Sequence, residues 1–473
     1  MYLYNTLSGK EELLKKPLFR SLKIFVCGPT TYDYSHIGHA RTYIFFDTFV
    51  RYLKHRGFRV KYIQNITDVD DKIIERAKDE KKDPAELAGI FTKEHLRNMK
   101  DLNIESVTKY ARASAYVPQI LKQIKTLLKK GFAYQIPGDG YYFDVSKFGD
   151  YGKLSHRTTL EAEDAVSRID ENLKKRNKAD FALWKFAKLG EPKWKTDLGD
   201  GRPGWHIEDT AITEKFFGPQ YDIHGGGIDL KFPHHEAEIA QQESASGKKP
   251  FVKIWMHTGF LLVDGEKMSK SLKNFITIGD LLKDYSPNIL RLLVLGHHYR
   301  SPIDYSEKLA NQTRAALQTF EDFLGKIDFV LETKNRTIKN FPGQKPVKVF
   351  ENLMAFALED DFNTPQALAL IFESIGQNQE NVWYYEKNHL VSLKKFLEST
   401  FETLGFKPKK PVIPPEVKKF VAERELLRQN KQFALADALR NKIRVLGYEV
   451  EDTPIGPLAL ETSNHKHQTP NLL

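Results

Sequence analysis

Cys27-Gly28-Pro29-Thr30-Thr31-Tyr32-Asp33-Tyr34-Ser35-His36-Ile37-Gly38-His39 joins the apolar run Ile24-Phe25-Val26 to a helical pattern over His39–Lys54. An apolar run stopped by Gly-Pro reads as a buried strand, and the segment beyond Gly38 as the helix it feeds. A loop that leaves a buried parallel strand for a helix N-terminus presents free backbone N–H groups and the positive end of the helix dipole, which suits phosphate. His36 and His39 flank Gly38, so a phosphate or an adenine can approach the backbone closely while both rings donate hydrogen bonds. The pattern is neither a Walker loop nor a dinucleotide fingerprint. Taken alone, His-x-x-His describes a pair of surface or capping histidines equally well.

Outward from this loop, Val60-Lys61-Tyr62-Ile63-Gln64 supplies a second strand. The βαβ rhythm implies a parallel sheet with a right-handed crossover. Asn65-Ile66-Thr67-Asp68-Val69-Asp70-Asp71-Lys72 then falls at the carboxyl edge, where such sheets bind ligands. Its acidic residues read as solvated turns or caps, whereas Asn65 and Thr67 are candidates for substrate contact. From 116 to 200 the pattern becomes irregular and reads as an insertion, with a short helix over Val117–Lys130, a strand at Gly140–Val145, and the basic run Lys174-Lys175-Arg176-Asn177-Lys178 as a solvated face.

A second half of the sheet opens at Gly204-Trp205-His206-Ile207-Glu208-Asp209 and runs through Tyr221-Asp222-Ile223-His224-Gly225-Gly226-Gly227-Ile228-Asp229. Successive glycines permit close ligand approach, although a flexible loop reads the same way. Pro233-His234-His235-Glu236-Ala237-Glu238 starts a helix. There His234 and Glu238, four apart, share one face, as two ligands of one metal ion or a surface pair would. Further on stands Lys267-Met268-Ser269-Lys270-Ser271, after Phe260–Val263 and a turn at Asp264-Gly265. Helical periodicity covers Glu307 to Phe406, with Leu317, Phe320, Phe323 and Leu324 as one stripe. Pro408, Pro411, Pro414 and Pro415 form a linker, and a small helical unit spans Val417–Leu446.

Of the 473 residues, 41% are hydrophobic and 28% charged, a soluble globular balance with room for several domains. The net charge of +10 favours a polyanionic partner. The single cysteine, Cys27, excludes an intramolecular disulfide and fits a reducing compartment; as a lone thiol it is either an inert core residue or a ligand. Neither a signal pattern nor a bilayer-length apolar run stands in the sequence, so a cytoplasmic protein with no membrane partner is expected.

The two motifs at His36–His39 and Lys267–Ser271, in this order and spacing, resemble the HIGH and KMSKS motifs of class I aminoacyl-tRNA synthetases. The likeness extends from Tyr4-Asn5-Thr6 to Glu451-Asp452-Thr453-Pro454 and is closest to the cysteinyl-tRNA synthetase family, through Cys27–Thr30, Asn65–Lys72, Gly201–His206, His224–Asp229 and Phe232–Glu238. The resemblance implies an α/β fold: a Rossmann-type parallel-sheet catalytic domain with an insertion, then a helical-bundle domain and a small C-terminal anticodon-binding domain. The expected divisions are 1–115 and 201–250 for the two catalytic halves, 116–200 for the connective insertion, and 251–306 for a stem-contact region with the KMSKS loop. A helical bundle over 307–407, an anticodon unit over 408–460 and a disordered tail over 461–473 complete them.

It further implies a monomeric ligase that activates L-cysteine with ATP and Mg²⁺ and charges cysteine tRNA. His36, His39, Lys267 and Lys270 are the implied catalytic residues. Gly28, Thr30, His224, Gly227 and Asp229 join His36, His39 and Lys270 around ATP and the adenylate, while Cys27, Thr67 and Trp205 bind cysteine. The family's zinc ligands fall on Cys27, Asp209, His234 and Glu238, and Asp209 stands where the family usually carries a second cysteine. Either Asp209 ligates through oxygen, preferred because the other three positions are retained, or the site holds little metal and selects thiol through Cys27, Trp205 and shape. Arg428, Phe433, Asp437 and Asp452 match anticodon-contacting positions, an aromatic ring stacking on a splayed base while charged groups read edges. Two rivals remain: a ligase that transfers cysteine to an amino sugar, against which residues 416–456 speak, and a degenerate RNA-binding paralogue.

Overall fold

The computed structural model describes residues 1–157, 174–269, 272, 274–334, 336–339, 345–407 and 412–462. The chain divides into two compact units, one of residues 1–281, 299–304 and 360–362, the other of the rest.

The first unit is built on a five-stranded parallel sheet in the order Val252–Thr258, Tyr221–Gly227, Leu22–Val26, Val60–Ile66, Lys109–Arg112. The order reverses between Leu22–Val26 and Tyr221–Gly227, which makes their carboxyl ends the switch point at which open α/β sheets bind ligands. Tyr221–Gly227 and Val252–Thr258 are buried along nearly their whole length, as strands covered on both faces must be. The sheet thus runs past residue 250, where the sequence reading ended the second catalytic half. The apolar Ile254-Trp255-Met256 pairs with Ile223-His224-Gly225 and belongs to this core.

The helix Ile37–His55 covers the sheet. His36 is its N-cap, with Nδ1 accepting from Gly38 N–H, and Gly225 lets it lie close: a Cβ at Gly225 would stand 2.1 Å from the Phe46 ring. The buried Arg41 guanidinium donates to the carbonyls of Phe260, Tyr299 and Ser301. Asp361 accepts from Tyr4 N–H, the Tyr299 hydroxyl and Arg300 Nε at 2.7–2.8 Å. These contacts fasten sequence-distant ends of the unit to its first helix and first strand.

The insertion forms a four-stranded antiparallel sheet of Ala133–Ile136, Gly140–Phe143, Phe181–Phe186 and Gly201–Pro203. The basic run is a solvated face as expected, with Lys174, Arg176 and Lys178 exposed, and Arg176 also lies over the Tyr134 ring at 4.1 Å and pairs with Asp144 at 3.1 Å. Among the described residues no helix is long and apolar enough to cross a membrane.

The second unit is helical, from Pro287–Leu295 and Glu307–Glu332 through Val347–Glu359, Thr364–Gln379 and Lys387–Thr403. Leu317, Phe320, Phe323 and Leu324 are its buried stripe, and Phe320 stacks on Phe401. Pro408 and Pro411 of the expected linker, and 463–473 of the expected tail, lie outside the described residues. The C-terminal part carries two helices, Pro415–Gln429 and Phe433–Val445. It also carries a hairpin absent from the sequence reading, Tyr448–Thr453 with Gly456–Glu461, and Val417, Val421, Ile443 and Val450 form its core.

Gly225→Ala is expected to overpack the contact with Phe46 and cost about 1–3 kcal/mol of stability in denaturant unfolding. Gly225→Ala combined with Phe46→Leu is expected to recover part of that loss, because the colliding ring atoms are gone.

Candidate active site and metal centre

Cys27 follows directly on the central strand at the switch point, and its N–H donates to Gly225 O. Two helices bring polar side chains to it, Trp205–Phe217 and His234–Ser246. Asp209 Oδ2 lies 3.4 Å from Cys27 Sγ and 3.0 Å from His234 Nε2. Glu238 Oε1 lies 3.9 Å from the same sulfur and 3.1 Å from the same imidazole nitrogen. One atom from each of the four residues therefore faces a single small space. All four are 5% exposed or less.

His224 and His235 approach the sulfur from the other side, with Nε2 atoms at 3.2 and 3.1 Å. His224, expected beside the nucleotide, is thus fully buried in this cluster instead. It turns Nδ1 to the Tyr221 hydroxyl at 2.6 Å and to Glu238 Oε2 at 3.5 Å, and Cys27, His224, His235 and Glu238 form a second group of four donors that converge closely enough to share one ion. His235 passes to His257 at 2.9 Å and His257 to Thr6 at 2.9 Å. His206 Nδ1 meets His234 Nδ1 at 2.8 Å. If His234 donates there, its Nε2 lone pair is left facing the space.

Burial pushes the Cys27 thiol well up, helped by Asp209 and Glu238, and pushes the Glu238 carboxyl well up, helped by Asp209 and Glu208. It pushes His206, His224 and His235 well down. Asp209 Oδ1 and Glu238 Oε2 are buried without a hydrogen-bond partner, and neither carboxylate pairs with a lysine or arginine among the described residues. A thiol, an imidazole and two carboxylates converging without a cation form a donor set that fits a divalent metal ion, zinc included.

The far side of Cys27 is set by the loop itself. Gly28 N–H donates to Asn65 Oδ1 at 2.5 Å, and a Cβ at Gly28 would fall 1.8 Å from Asn65 O. Thr30 bridges Thr67 in parallel register. Thr67 is 1% exposed and Trp205, at 37%, stacks on His234 at 4.3 Å. Gly227 sits against its neighbour Asp229, whose side chain is exposed.

His36 and His39 stack at 3.8 Å. His36 Nδ1 accepts from Gly38 N–H and His39 Nδ1 from His36 N–H at 3.3 Å, so each neutral ring carries its proton on Nε2. Burial holds His36 down to about 4 and His39 well below its usual value. Both are neutral donors at pH 7. The segment around the second motif lies against them: a Cβ at Gly38 would stand 3.0 Å from Met268 Cε, Phe275 meets the His36 ring edge-on at 5.2 Å, and Ile37 N–H donates to Ile276 O. Lys267 is exposed with Nζ 4.0 Å above the Phe260 ring. Lys270 lies outside the described residues.

In the C-terminal unit Phe433 is 57% exposed at a helix start, and Asp437 is exposed. Asp452 is exposed and engaged by Arg424 at 2.7 and 3.0 Å and by Arg428 at 3.4 Å, and Arg424 holds its carboxyl below the usual range. Sequence reasoning missed Glu208, His235, His257 and Arg41 as parts of the site and its frame. A usable signal was the crowding of five of the 15 histidines, at 206, 224, 234, 235 and 257, into one short span.

Above pH 6.5 folded and unfolded chains alike carry neutral His36; below it the unfolded chain binds a proton that the folded chain refuses until about pH 4. This group therefore lowers stability as pH falls through that window, and chemical denaturation is expected to show a shallower loss for His36→Gln than for the wild type.

A family model described as tRNA synthetases class I (C) catalytic domain matches residues 15–315, and one described as a DALR domain matches 355–406. The cysteine–tRNA ligase of Thermococcus gammatolerans is 44% identical over 469 residues, covering 96% of this chain and 98% of its own. That of Thermoplasma volcanium is 43% identical over 453 residues, covering 96% and 98%. Among solved structures, Mycobacterium tuberculosis methionyl-tRNA synthetase in complex with methionyl-adenylate shares the fold at TM-score 0.59 and 16% identity, over 82% of this chain and 90% of that one. The Agrobacterium radiobacter LeuRS of a ternary complex does so at TM-score 0.60 and 11% identity, over 81% and 83%. The expectation from the two short motifs thus holds over almost the full length, and the chain belongs to the class I (C) tRNA synthetases, the family whose relatives here are cysteine–tRNA ligases.

Proposed function

We propose that this chain is a cysteine–tRNA ligase. It joins L-cysteine to AMP from ATP, releasing pyrophosphate, and passes the cysteinyl group to the terminal adenosine of cysteine tRNA. The observation that carries this reading is the convergence of Cys27, Asp209, His234 and Glu238 at the start of the same loop that ends in His36 and His39. One end of that loop can hold a sulfur-seeking ion and the other a phosphate.

In the first step the cysteine carboxylate attacks the α-phosphorus and the bond to the β-phosphate oxygen breaks. His36 and His39, as neutral Nε2–H donors, face the charge that develops on the α-phosphate, and burial raises the worth of those bonds. Lys270 and Lys267, with Mg²⁺ on the phosphates, take up the charge of the departing pyrophosphate. Gly28 and Thr30 line the approach to the nucleotide, and Gly227 and Asp229 its other side. Cys27, Asp209, His234 and Glu238 would hold a zinc ion, which would supply the affinity for thiolate over hydroxyl that shape alone cannot give between cysteine and serine. His206 orients the His234 ring, and Trp205 covers it. Phe433 and Arg428 present an aromatic face and a cation to the anticodon, with Asp452 fixing the arginines beside them.

Cysteine-dependent ATP–pyrophosphate exchange followed by charging of cysteine tRNA tests the reading; exchange with no dependence on cysteine would overturn it. Asp209→Ala and His234→Ala are each expected to weaken zinc by more than the roughly 10–100-fold that loss of an outer hydrogen-bond partner costs, measured as metal per chain after dialysis. His224→Ala is expected to retain the ion.

A further inference from the structure

At the end of the parallel sheet opposite Cys27, where Leu22–Val26, Tyr221–Gly227 and Val252–Thr258 begin, a cleft of about 780 Å³ opens beside residues 12–20, which lead from the first hairpin into the sheet. Strand rise puts it about 15–20 Å from the metal centre, and nothing in the reading above uses it. Its buried lining is Leu14 and Ile254, and its exposed lining is Leu13, Leu18 and Phe19, the last two 81% and 93% exposed. Adjacent large apolar side chains held out in water gain from being covered.

The hairpin of Tyr2–Asn5 with Lys10–Leu13 reaches this cleft at Leu13. Asp361 accepts from Tyr4 N–H and donates its own N–H to Tyr2 O, so those two residues turn their backbone groups away from the paired strand. Antiparallel pairing alternates, so Glu11 and Leu13, which stand opposite them in register, turn theirs outward too. Among the described residues nothing pairs with the N–H and C=O of Glu11 or Leu13. The strand therefore keeps an open edge that runs into an apolar cleft.

The charge around the cleft is positive. Lys15, Lys16, Arg20 and Lys253 line it against Glu12 and Asp222. Both carboxylates are already engaged: Glu12 accepts from Asn5 Nδ2 at 2.9 Å, and Asp222 from Arg20 Nη2 at 2.7 Å and Lys253 Nζ at 3.1 Å. Lys15 and Lys16 are exposed, and neither forms an ion pair among the described residues. An oligonucleotide or an anionic lipid surface answers these cations but leaves the strand edge unpaired. A second copy of a chain with net charge +10 would set the same cations against one another. An extended peptide that carries carboxylates and apolar side chains answers the edge, the aliphatic lining and the charge together.

We propose that the open edge of Lys10–Leu13 and the adjoining cleft dock an extended acidic segment of a partner protein, which pairs as an added strand, sets alternate apolar side chains against Leu13, Leu18 and Phe19, and brings its carboxylates to Lys15 and Lys16. The surface shares no residue with the ligase site, so docking there leaves that site open. The probe is a capped, fluorescein-labelled peptide that alternates glutamate with leucine, titrated with the full-length protein and followed by fluorescence anisotropy. Saturable one-to-one binding is expected. Lys15→Glu with Lys16→Glu, and separately Leu18→Ser with Phe19→Ser, are each expected to weaken it by about tenfold or more, with the thermal unfolding midpoint at its wild-type value. N-methylation of every second peptide nitrogen removes the strand donors in one register only. It is expected to abolish binding in the register that faces the edge and to leave it within about twofold in the other. Absence of saturable binding, unchanged binding by either double variant, or equal binding of the parent and both N-methylated peptides overturns the assignment. So does tighter binding at this loop by an oligouridylate or by phosphatidylserine vesicles, which would give the surface to RNA or to lipid instead.

Discussion

Acidic groups and a thiol crowd one water-free space at the carboxyl ends of two adjacent parallel strands, and the arrangement is unstable unless positive charge enters it. Burial keeps His206, His224 and His235 neutral, and no lysine or arginine among the described residues reaches the carboxylates. A dication would offset the cost of desolvating the donors. The switch point opens the gap, Cys27 stands at its floor, and two helices aim one carboxylate and one imidazole-carboxylate pair across it.

The His36–His39 side obeys the opposite rule. There the helix start supplies N–H groups and neutral rings whose acceptor nitrogens are already occupied by backbone, so only donors point outward. One loop of a dozen residues thereby separates an anion-rich corner from a donor-rich one. Its geometry is held by Gly28 pressed onto Asn65, by the Thr30–Thr67 bridge, and by the segment after the second motif, hydrogen-bonded to Ile37.

What was legible in the sequence was what is local. His36 and His39 fall one turn apart at a strand-to-helix joint, and His234 and Glu238 fall one turn apart on a helix, so short-range periodicity placed both pairs. His224 was misplaced because a strand ending in three glycines reads as an approach route for a ligand. Its partner Cys27 follows a different strand, whose pairing beside Tyr221–Gly227 the strand pattern does not reveal. Arg41 was invisible for a sharper reason: its acceptors are backbone carbonyls more than 200 residues away, and any residue type has a carbonyl. Asp452 was read by analogy with a recognition position, whereas the neighbouring helix supplies an arginine that takes both of its oxygens.

The clamps at Arg41 and Asp361 bear on how the molecule is made. A chain emerging from the ribosome holds the helix Ile37–His55 long before residues 260, 299 and 301 exist, and Tyr4 waits 357 positions for Asp361. Until then a guanidinium meant for the interior lacks its acceptors, and the first helix cannot settle fully on its sheet. Vectorial synthesis therefore leaves the catalytic half ajar for most of translation, a period in which its apolar faces are open to aggregation or to chaperones.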